Sequence, residues 1–428
     1  MSMTAPMTMT EKIIARHAGV ASVRPGDLVD VTVDLVMAND VTAPIAIREF
    51  KKTGLAHTFD PKKVVMVPSH FAPAKDLFAA RNCEIMRTFA LEEGCVYFEI
   101  GRGGIEHVIL PDKGFCRPGD LIIGADSHTC TYGALNCFST GMGSTDIAAA
   151  MATGGTWLKV PETLKVVYKG HLPRYVGGKD LVLRTIGTIS DDGARYMAIE
   201  FTGDAIHDMP MEGRLTMANM TIEAGGKNGI MPFDDVTRAF LEGRTNVPYE
   251  PVEADADAVY ARTIEFDCSE MEPQIAAPYL PSNVHPVSML RGTKINQVVI
   301  GSCTNGRMSD LRLAAEILGD HRINDGVRCI VIPGSQDVYI QAMREGLAEK
   351  FASAGAVFST ATCGPCLGGY MGVADEQDVV VSTTNRNYRG RMGHVEAQVH
   401  LANPAVAMAA AITGYICDPR EVMDLVPA

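Results

Sequence analysis

Three cysteines in this sequence sit in settings that suit cysteine chemistry: Cys303 in Gly-Ser-Cys-Thr-Asn, and Cys363 and Cys366 in Cys-Gly-Pro-Cys. The CxxC pair has three readings: an inert loop, a thiol–disulfide couple and a metal site. A thioredoxin-type couple opens a helix, whose dipole lowers the thiol pKa. Here Leu-Gly-Gly-Tyr follows the pair, and two glycines in a first turn disfavour a helix. No aromatic residue precedes it. A structural zinc site wants four closed ligands, and no fourth cysteine or histidine lies nearby in sequence. The cysteines alone leave a metal or cluster site, a redox pair and an inert loop all open.

Four further segments carry groups for proton transfer or anion recognition. Gly124-Ala-Asp-Ser-His-Thr129 offers Asp126 and His128 at the end of a strand, although by itself it reads as an Asx-turn with a surface histidine. Gly103-Gly-Ile-Glu-His107 adds His107. Asn219-Met-Thr-Ile-Glu-Ala-Gly-Gly226 puts Asn219 and Glu223 four apart, on one face if helical, before a glycine stop. Its bland reading is a surface helix. Asn385-Arg-Asn-Tyr-Arg-Gly-Arg391 is dense in guanidinium and amide donors, a loop suited to carboxylate or phosphate.

Elements that would position these groups are clearest in the last third. Gln297–Gly301, Arg328–Ile332, Ala356–Ser359 and Asp378–Ser382 read as short buried strands. Helical patterns separate the first three, one opening at the N-cap Ser309-Asp310 and one running from Asp337 to Ala354. Such alternation implies an α/β fold with a parallel, doubly wound sheet. Ligands in such sheets sit at the carboxyl ends of the strands, where the cysteine and arginine loops fall. Earlier, Val64–Val67 and Asp120–Gly124 are strand-like and Ala74–Glu92 is helical. In the middle, Thr163–Tyr168 and Leu181–Leu183 read as strands, with helices near Gly193–Phe201 and Phe233–Leu241. Pro273–Pro286 reads as a linker.

The chain of 428 residues is long enough for about three domains, placed at 1–161, 162–281 and 282–428. With 46% hydrophobic and 21% charged residues it has the balance of a soluble globular protein. The longest apolar stretch, Ala405–Ile416, is too short to span a bilayer. The N-terminus has no basic region followed by an apolar core, so it is not a secretory signal. It reads as a frayed tail before a helix at Glu11–His17, and the expected location is cytoplasmic. A net charge of −13 argues against nucleic acid or an anionic membrane as partner. Eleven cysteines in that setting are not a disulfide framework; most read as small buried hydrophobes.

Taken together and in this order, Gly-Ala-Asp-Ser-His-Thr, Gly-Ser-Cys-Thr-Asn, Cys-Gly-Pro-Cys-Leu-Gly and Ser-Thr-Thr-Asn-Arg-Asn-Tyr-Arg-Gly-Arg resemble the aconitase superfamily over nearly the whole chain. Ala38-Asn-Asp-Val-Thr-Ala-Pro-Ile and His400-Leu-Ala-Asn-Pro-Ala-Val look like its isopropylmalate/homoaconitate branch. The resemblance implies a three-domain aconitase-like fold and one [4Fe–4S] cluster, with Cys303, Cys363 and Cys366 matching its ligands. Three ligands leave one iron open as a Lewis acid. Arg386 and Arg391 match holders of a substrate carboxylate. Asn219, Asn305 and Asn385 match positions near cluster or substrate, and Asn39 and Ser127 match substrate contacts. His70 matches a general acid and Asp40 an active-site acid. His107 with Glu223, and Asp126 with His128, match acid–base dyads.

Two departures stand out. The family has Asp-His where this chain has Ser69-His70, so the carboxylate that would support His70 is missing at that position. The sequence also contains no Gly-Ser-Ser-Arg, the loop of a swivelling fourth domain whose serine is the base. In the two-subunit branch that domain is a separate small protein. The implied activity is interconversion of 2- and 3-isopropylmalate by loss and return of water, a step of leucine biosynthesis, with a small subunit as partner. Homoaconitate, citraconate with methylmalate, and 2,3-dimethylmalate are alternative substrates. A thiol–disulfide oxidoreductase using Cys363 and Cys366 is the alternative from another enzyme class. An iron-responsive nucleic-acid binder is the non-catalytic one.

Overall fold

In a computed structural model, residues 5–423 are described. Three sheets carry the fold. The first is five-stranded and wholly parallel, in the spatial order Val96–Tyr97, Val64–Val67, Leu35–Asn39, Leu121–Gly124, Phe138–Gly141. Its central strands are buried on both faces, as their unbroken apolar runs require. Helices Ala43–Lys52, Leu77–Glu93 and Ser144–Thr153 contribute Phe50, Phe89 and Met151 to its core. The second sheet has four parallel strands, Asn228–Ile230, Ala198–Thr202, Thr163–Lys169 and Arg262–Asp267. The third has seven, in the order Val284–Pro286, Gln274–Ala276, Gln398–Ala402, Val379–Ser382, Gln297–Ile300, Arg328–Val331, Val357–Phe358. The last five are parallel; the first two form an antiparallel edge.

The four strands read from the last third are all present, and helix Leu77–Glu93 falls where the periodicity puts it. Several expectations need correction. Leu181–Leu183 lies inside helix Gly178–Ile189, whose Leu181, Leu183, Ile186 and Ile189 are all buried. A short, fully buried apolar run has no period that separates helix from strand. Conversely, 193–201 is no helix: Ala198–Thr202 is a central strand of the second sheet. The segment read as a linker supplies the two antiparallel strands of the third sheet. The helix read from Asp337 to Ala354 is two, Gln336–Arg344 and Leu347–Ser353, parted at Gly346 with φ +74°. Helix Met308–Leu318 is capped at Arg307, whose N–H donates to Asp310 three residues on; Asp310 closes the first turn instead of opening it.

The N-terminal tail is ordered further out than expected. Met1–Thr4 lie outside the described residues, but the first helix spans Met9–His17 with Thr8 and Glu11 closing a capping box, and Met7 and Met9 are buried. No helix among the described residues is long and apolar enough to cross a membrane.

This topology brings the carboxyl ends of the first and third sheets face to face. The contact is stitched by main-chain bonds from Cys363 N–H to Ser69 O (3.1 Å) and from Ile105 N–H to Gly334 O (2.8 Å). The buried guanidinium of Arg307 spans the same seam, donating to Cys303 O (3.0 Å) and His107 O (2.9 Å).

Candidate active site

A cavity of about 300 Å³ opens along that seam. The carboxyl ends of four strands of the first sheet and the segments after them, helix Glu106–Asp112 included, supply Asn39, His70, Glu106, His107, Asp126, Ser127 and His128 to its wall; segments after strands of the third supply Cys303, Cys363, Cys366, Arg386 and Arg391. Twelve side chains from opposite halves of the sequence therefore share one wall. The strand-end placement follows from the parallel topology.

The three cysteines are buried and pack with Ile105 and Val108 as one cluster. Ser302, just before Cys303, is held at φ +75°, a strained conformation of the kind that collects at functional sites. Between Cys363 and Cys366, Gly364 at φ +58° makes room for Ile332, which a Cβ would strike. Asn385 reaches two of the sulfurs: its amide donates to Cys303 Sγ at 3.2 Å, and Cys366 Sγ donates to its oxygen at 3.4 Å. It also donates to Asn219 (3.1 Å), which in turn donates to Thr131 (2.8 Å). Asn219 and Asn385 thus stand behind the cavity wall and orient what faces it.

All eleven cysteines are free, and Cys363-Gly-Pro-Cys366 forms a single 3₁₀ turn instead of the start of an α-helix. Burial pushes the Cys303 thiol up to about 12, and burial with Glu106 nearby holds Cys363 well above the ordinary thiol range. A redox nucleophile needs the opposite shift. The oxidoreductase reading has no support in this geometry.

The acid–base groups keep one expected contact, Asp126 Oδ1 lying 3.4 Å from His128 Nδ1, but His107 pairs with Asp126 instead of Glu223. His107 Nε2 bonds Asp126 Oδ1 at 2.9 Å, with Nδ1 against the Tyr132 hydroxyl at 2.9 Å. His128 Nε2 donates to Glu223 Oε1 at 2.8 Å. Asp126 faces His107 because it caps the 3₁₀ turn Ser127–Leu135, taking the His128 main-chain N–H at 2.8 Å. That turn sends the His128 ring towards Glu223 on the middle segment. Burial favours the neutral acid in both carboxyls, but His107 and His128 outweigh it at Asp126, which lies well below the usual carboxylate range. Arg386 and His128 do the same at Glu223 and lower it.

His70 is the largest departure from expectation. Ser69, fully buried, places its hydroxyl 2.8 Å from His70 Nδ1. Three carboxylates surround the ring nonetheless: Asp40 and Glu106 lie 3.9 Å from Nδ1, and Asp126 lies 3.8 Å from Nε2. Burial would lower the His70 pKa, but Glu106, Asp126 and Asp40 raise it above the ordinary imidazole value. The carboxylate absent at position 69 is thus replaced from elsewhere in the fold. Asp40 does not line the cavity; it accepts the main-chain N–H groups of Ser69 (2.8 Å), His70 (2.9 Å) and Phe71 (2.7 Å), so it shapes the loop that presents His70.

Glu106 is the wall residue that sequence reasoning missed. It is fully buried, takes a 3.0 Å bond from Asn39 on Oε1, and has no partner on Oε2 among the described residues. It sits beside His107 in a motif already singled out, but a glutamate opening a helix reads first as a dipole partner. Asn305 moves the other way: its amide donates to Asp310 at 2.9 Å and it lines a separate cavity.

The two arginines differ. Arg386 Nε bonds both oxygens of Glu223 at 3.0 and 2.9 Å, and its Nη2 donates to Ser127 at 3.0 Å. Arg391 lines the cavity and, among the described residues, forms no ion pair, with Nε unpartnered. It is the guanidinium with capacity left for an anion.

Comparison with known proteins agrees in kind. The family model for aconitase (aconitate hydratase) matches residues 11–414. The chain is 57% identical to a 3-isopropylmalate dehydratase large subunit of Moorella thermoacetica, covering 97% of this chain and 99% of the relative. A protein of the same name from Halothermothrix orenii is 56% identical, covering 97% and 100%. Among solved structures, the holo-form of Thermococcus kodakaraensis aconitase X shares the fold at a TM-score of 0.51 and 13% identity, over 86% of this chain and 88% of that one.

Proposed function

The chain belongs to the aconitase family of hydro-lyases, and from that premise we propose that it is the large subunit of an enzyme interconverting 2- and 3-isopropylmalate by removal and return of water. The observation that carries the reading is the single cavity in which three thiols, three imidazoles, two carboxylates and two guanidiniums meet. The relatives bearing that name match along their full length, and their name supplies the substrate and a small-subunit partner.

Membership of the family implies a [4Fe–4S] cluster. The residues present fit one: the three sulfurs lie together on the cavity wall and, with thiol pKa values raised by burial, need a positive centre beside them to become thiolates. Cys303, Cys363 and Cys366 would hold it, and the iron left without a protein ligand would supply a Lewis acid for the substrate hydroxyl.

The chain's own residues do the rest. Arg391 holds a substrate carboxylate through its planar fork. Arg386, locked by Glu223, fixes Ser127 at the wall and adds positive potential. His70, kept protonated by its carboxylates to a higher pH than a free imidazole, delivers a proton to the leaving hydroxyl. Asp126 and Tyr132 hold both nitrogens of His107, and Glu223 orients His128 through Nε2. The relatives' name as large subunits, with no Gly-Ser-Ser-Arg in this sequence, supports a partner that carries that loop and the base for the carbon-bound proton. The three sheets, drawn from 35–141, 163–267 and 274–402, support a division into three units near the boundaries read from the sequence.

The test is anaerobic reconstitution with iron and sulfide, followed by assay on 2- and 3-isopropylmalate as the separately purified small subunit is titrated in. Turnover that saturates with the partner supports the reading. Full turnover by the isolated chain, or none on either malate with both subunits loaded, refutes it.

A further inference from the structure

Lys179 takes no part in the chemistry above and does not line the main cavity. It belongs to helix Gly178–Ile189 and is only 2% exposed. Its ammonium donates to the main-chain carbonyls of Thr383 (2.8 Å) and Thr384 (2.6 Å). Among the described residues no carboxylate forms an ion pair with it. Neighbouring Asp180 is spent on the N–H groups of Gly177 and Gln274 and on the Asn403 amide. A buried ammonium with carbonyls for company but no counter-ion is costly to the fold. Something must offset it.

The carbonyls it holds point to the answer. Thr383 O also accepts the Thr304 hydroxyl at 2.6 Å, so Lys179 sits where the Gly301–Asn305 and Thr383–Asn385 loops cross. Cys303 lies on the first loop; the residue after Thr384 is Asn385, which bonds the sulfurs of Cys303 and Cys366. We propose that Lys179 is the buried countercharge of the cysteine site: a positioning residue that pins the two loops together and balances the negative charge the three sulfurs carry when a cluster is bound. The proposal rests on the three-cysteine reading above.

Burial pulls the Lys179 ammonium down to about 7, and the groups that oppose burial are, in order, Cys303, Asp310, Cys366 and Asp180. Two of these four are cluster-site sulfurs. A cluster core bound by three thiolates would supply a lasting negative charge beside the loops that Lys179 holds. The balance runs both ways: the ammonium lowers the energy of the loaded site and makes its cluster easier to reduce.

The test compares Lys179→Met, Lys179→Gln and Lys179→Arg in the full chain, reconstituted anaerobically. Cluster content, its loss rate under chelator and its midpoint potential are read without reference to turnover. Removing a charge that acts through hydrogen bonds should make the Met and Gln variants lose the cluster roughly tenfold faster, with potentials displaced in the negative direction. Arg should hold the cluster as the wild type does. A purely mechanical clamp predicts instead that Gln, which keeps a donor, behaves like wild type; that outcome overturns the countercharge. The apo chain gives a second measurement. Without a cluster the ammonium has no counter-ion, so Lys179→Met should lower the unfolding temperature of the apo protein less than that of the loaded one. A Met variant that fails to fold makes Lys179 a structural clamp and overturns the charge assignment. A wild-type chain that takes up no cluster, or ligates it with other cysteines, sinks the three-cysteine reading instead; a wild type that loads beside neutral variants that load and titrate identically sinks only the role of Lys179.

Discussion

Glu223→Gln preserves the shape of one buried side chain and removes the charge that joins the middle of the chain to both walls of the cavity. The carboxylate takes His128 Nε2 at 2.8 Å and Arg386 Nε at 3.0 and 2.9 Å. A glutamine has one oxygen to offer and must turn its amide N–H groups on either His128 or Arg386, both of them donors here. At least one charge-assisted bond is lost, worth about 1.5–3 kcal/mol. Arg386, largely buried, is left without its counter-ion and loses its hold on Ser127. If that cost falls on the transition state, kcat/KM drops roughly ten- to a hundred-fold. The assay is initial-rate kinetics of the two-subunit enzyme, with thermal unfolding of the chain alongside. The pH dependence has a definite sign. Arg386 and His128 depress Glu223 in the folded state, so its contribution to stability is present above the unfolded carboxylate pKa and is lost as pH falls through the lower folded value. In that acid window the stability of wild type should fall towards that of Glu223→Gln. Unchanged kcat/KM with unchanged unfolding at neutral pH would remove the Glu223 bridge from the account.

Single Ser replacements of Cys303, Cys363 or Cys366 should abolish the cluster, measured as iron and sulfide per chain, while Cys83, Cys116 or Cys329 replaced by Ala should keep it at some loss of stability. Arg391→Lys keeps the charge but loses the fork, and should lower kcat/KM by roughly tenfold, chiefly through KM; an unchanged KM would clear Arg391 of substrate binding. Glu106→Gln removes the charge that most raises His70, so the limb of the pH–rate profile reporting the protonated acid should move to lower pH. A limb that stays in place would show that Asp126 and Asp40 suffice. Ser69→Asp should bring no gain in rate, since it adds a fourth carboxylate to a buried site that already holds three, and it should lower the unfolding temperature.

Much of the site was legible because motifs at strand ends converge once the sheet is parallel. Cys303, Cys363, Arg386 and Arg391 fall in loops of one sheet whose strands can be read directly from Val- and Ile-rich runs. Pairings across elements were not legible. His107 with Asp126 and His128 with Glu223 depend on which way a 3₁₀ turn aims Asp126 and the His128 ring, and sequence spacing does not encode that. The loss of a carboxylate at Ser69 looked like a weakened acid, because replacement by Glu106 comes from thirty-seven residues away through tertiary packing. Lys179 gave no signal either: a lysine near a helix start reads as exposed, and only its burial beneath Thr383 and Thr384 sets it apart. The misread Leu181–Leu183 and 198–201 are short, fully buried runs in which hydrophobic period carries little information.

The central claim is that three sulfurs of this cavity hold a cluster with one iron turned to the substrate. It is tested most directly by Mössbauer spectroscopy of chain reconstituted with enriched iron and paired with its small subunit, recorded before and after 3-isopropylmalate is added. One iron in four should change its signal on addition, and the change should be lost in Arg391→Ala, which should keep the cluster. Four irons that do not respond to substrate, or a cluster that persists in Cys363→Ser, would contradict it.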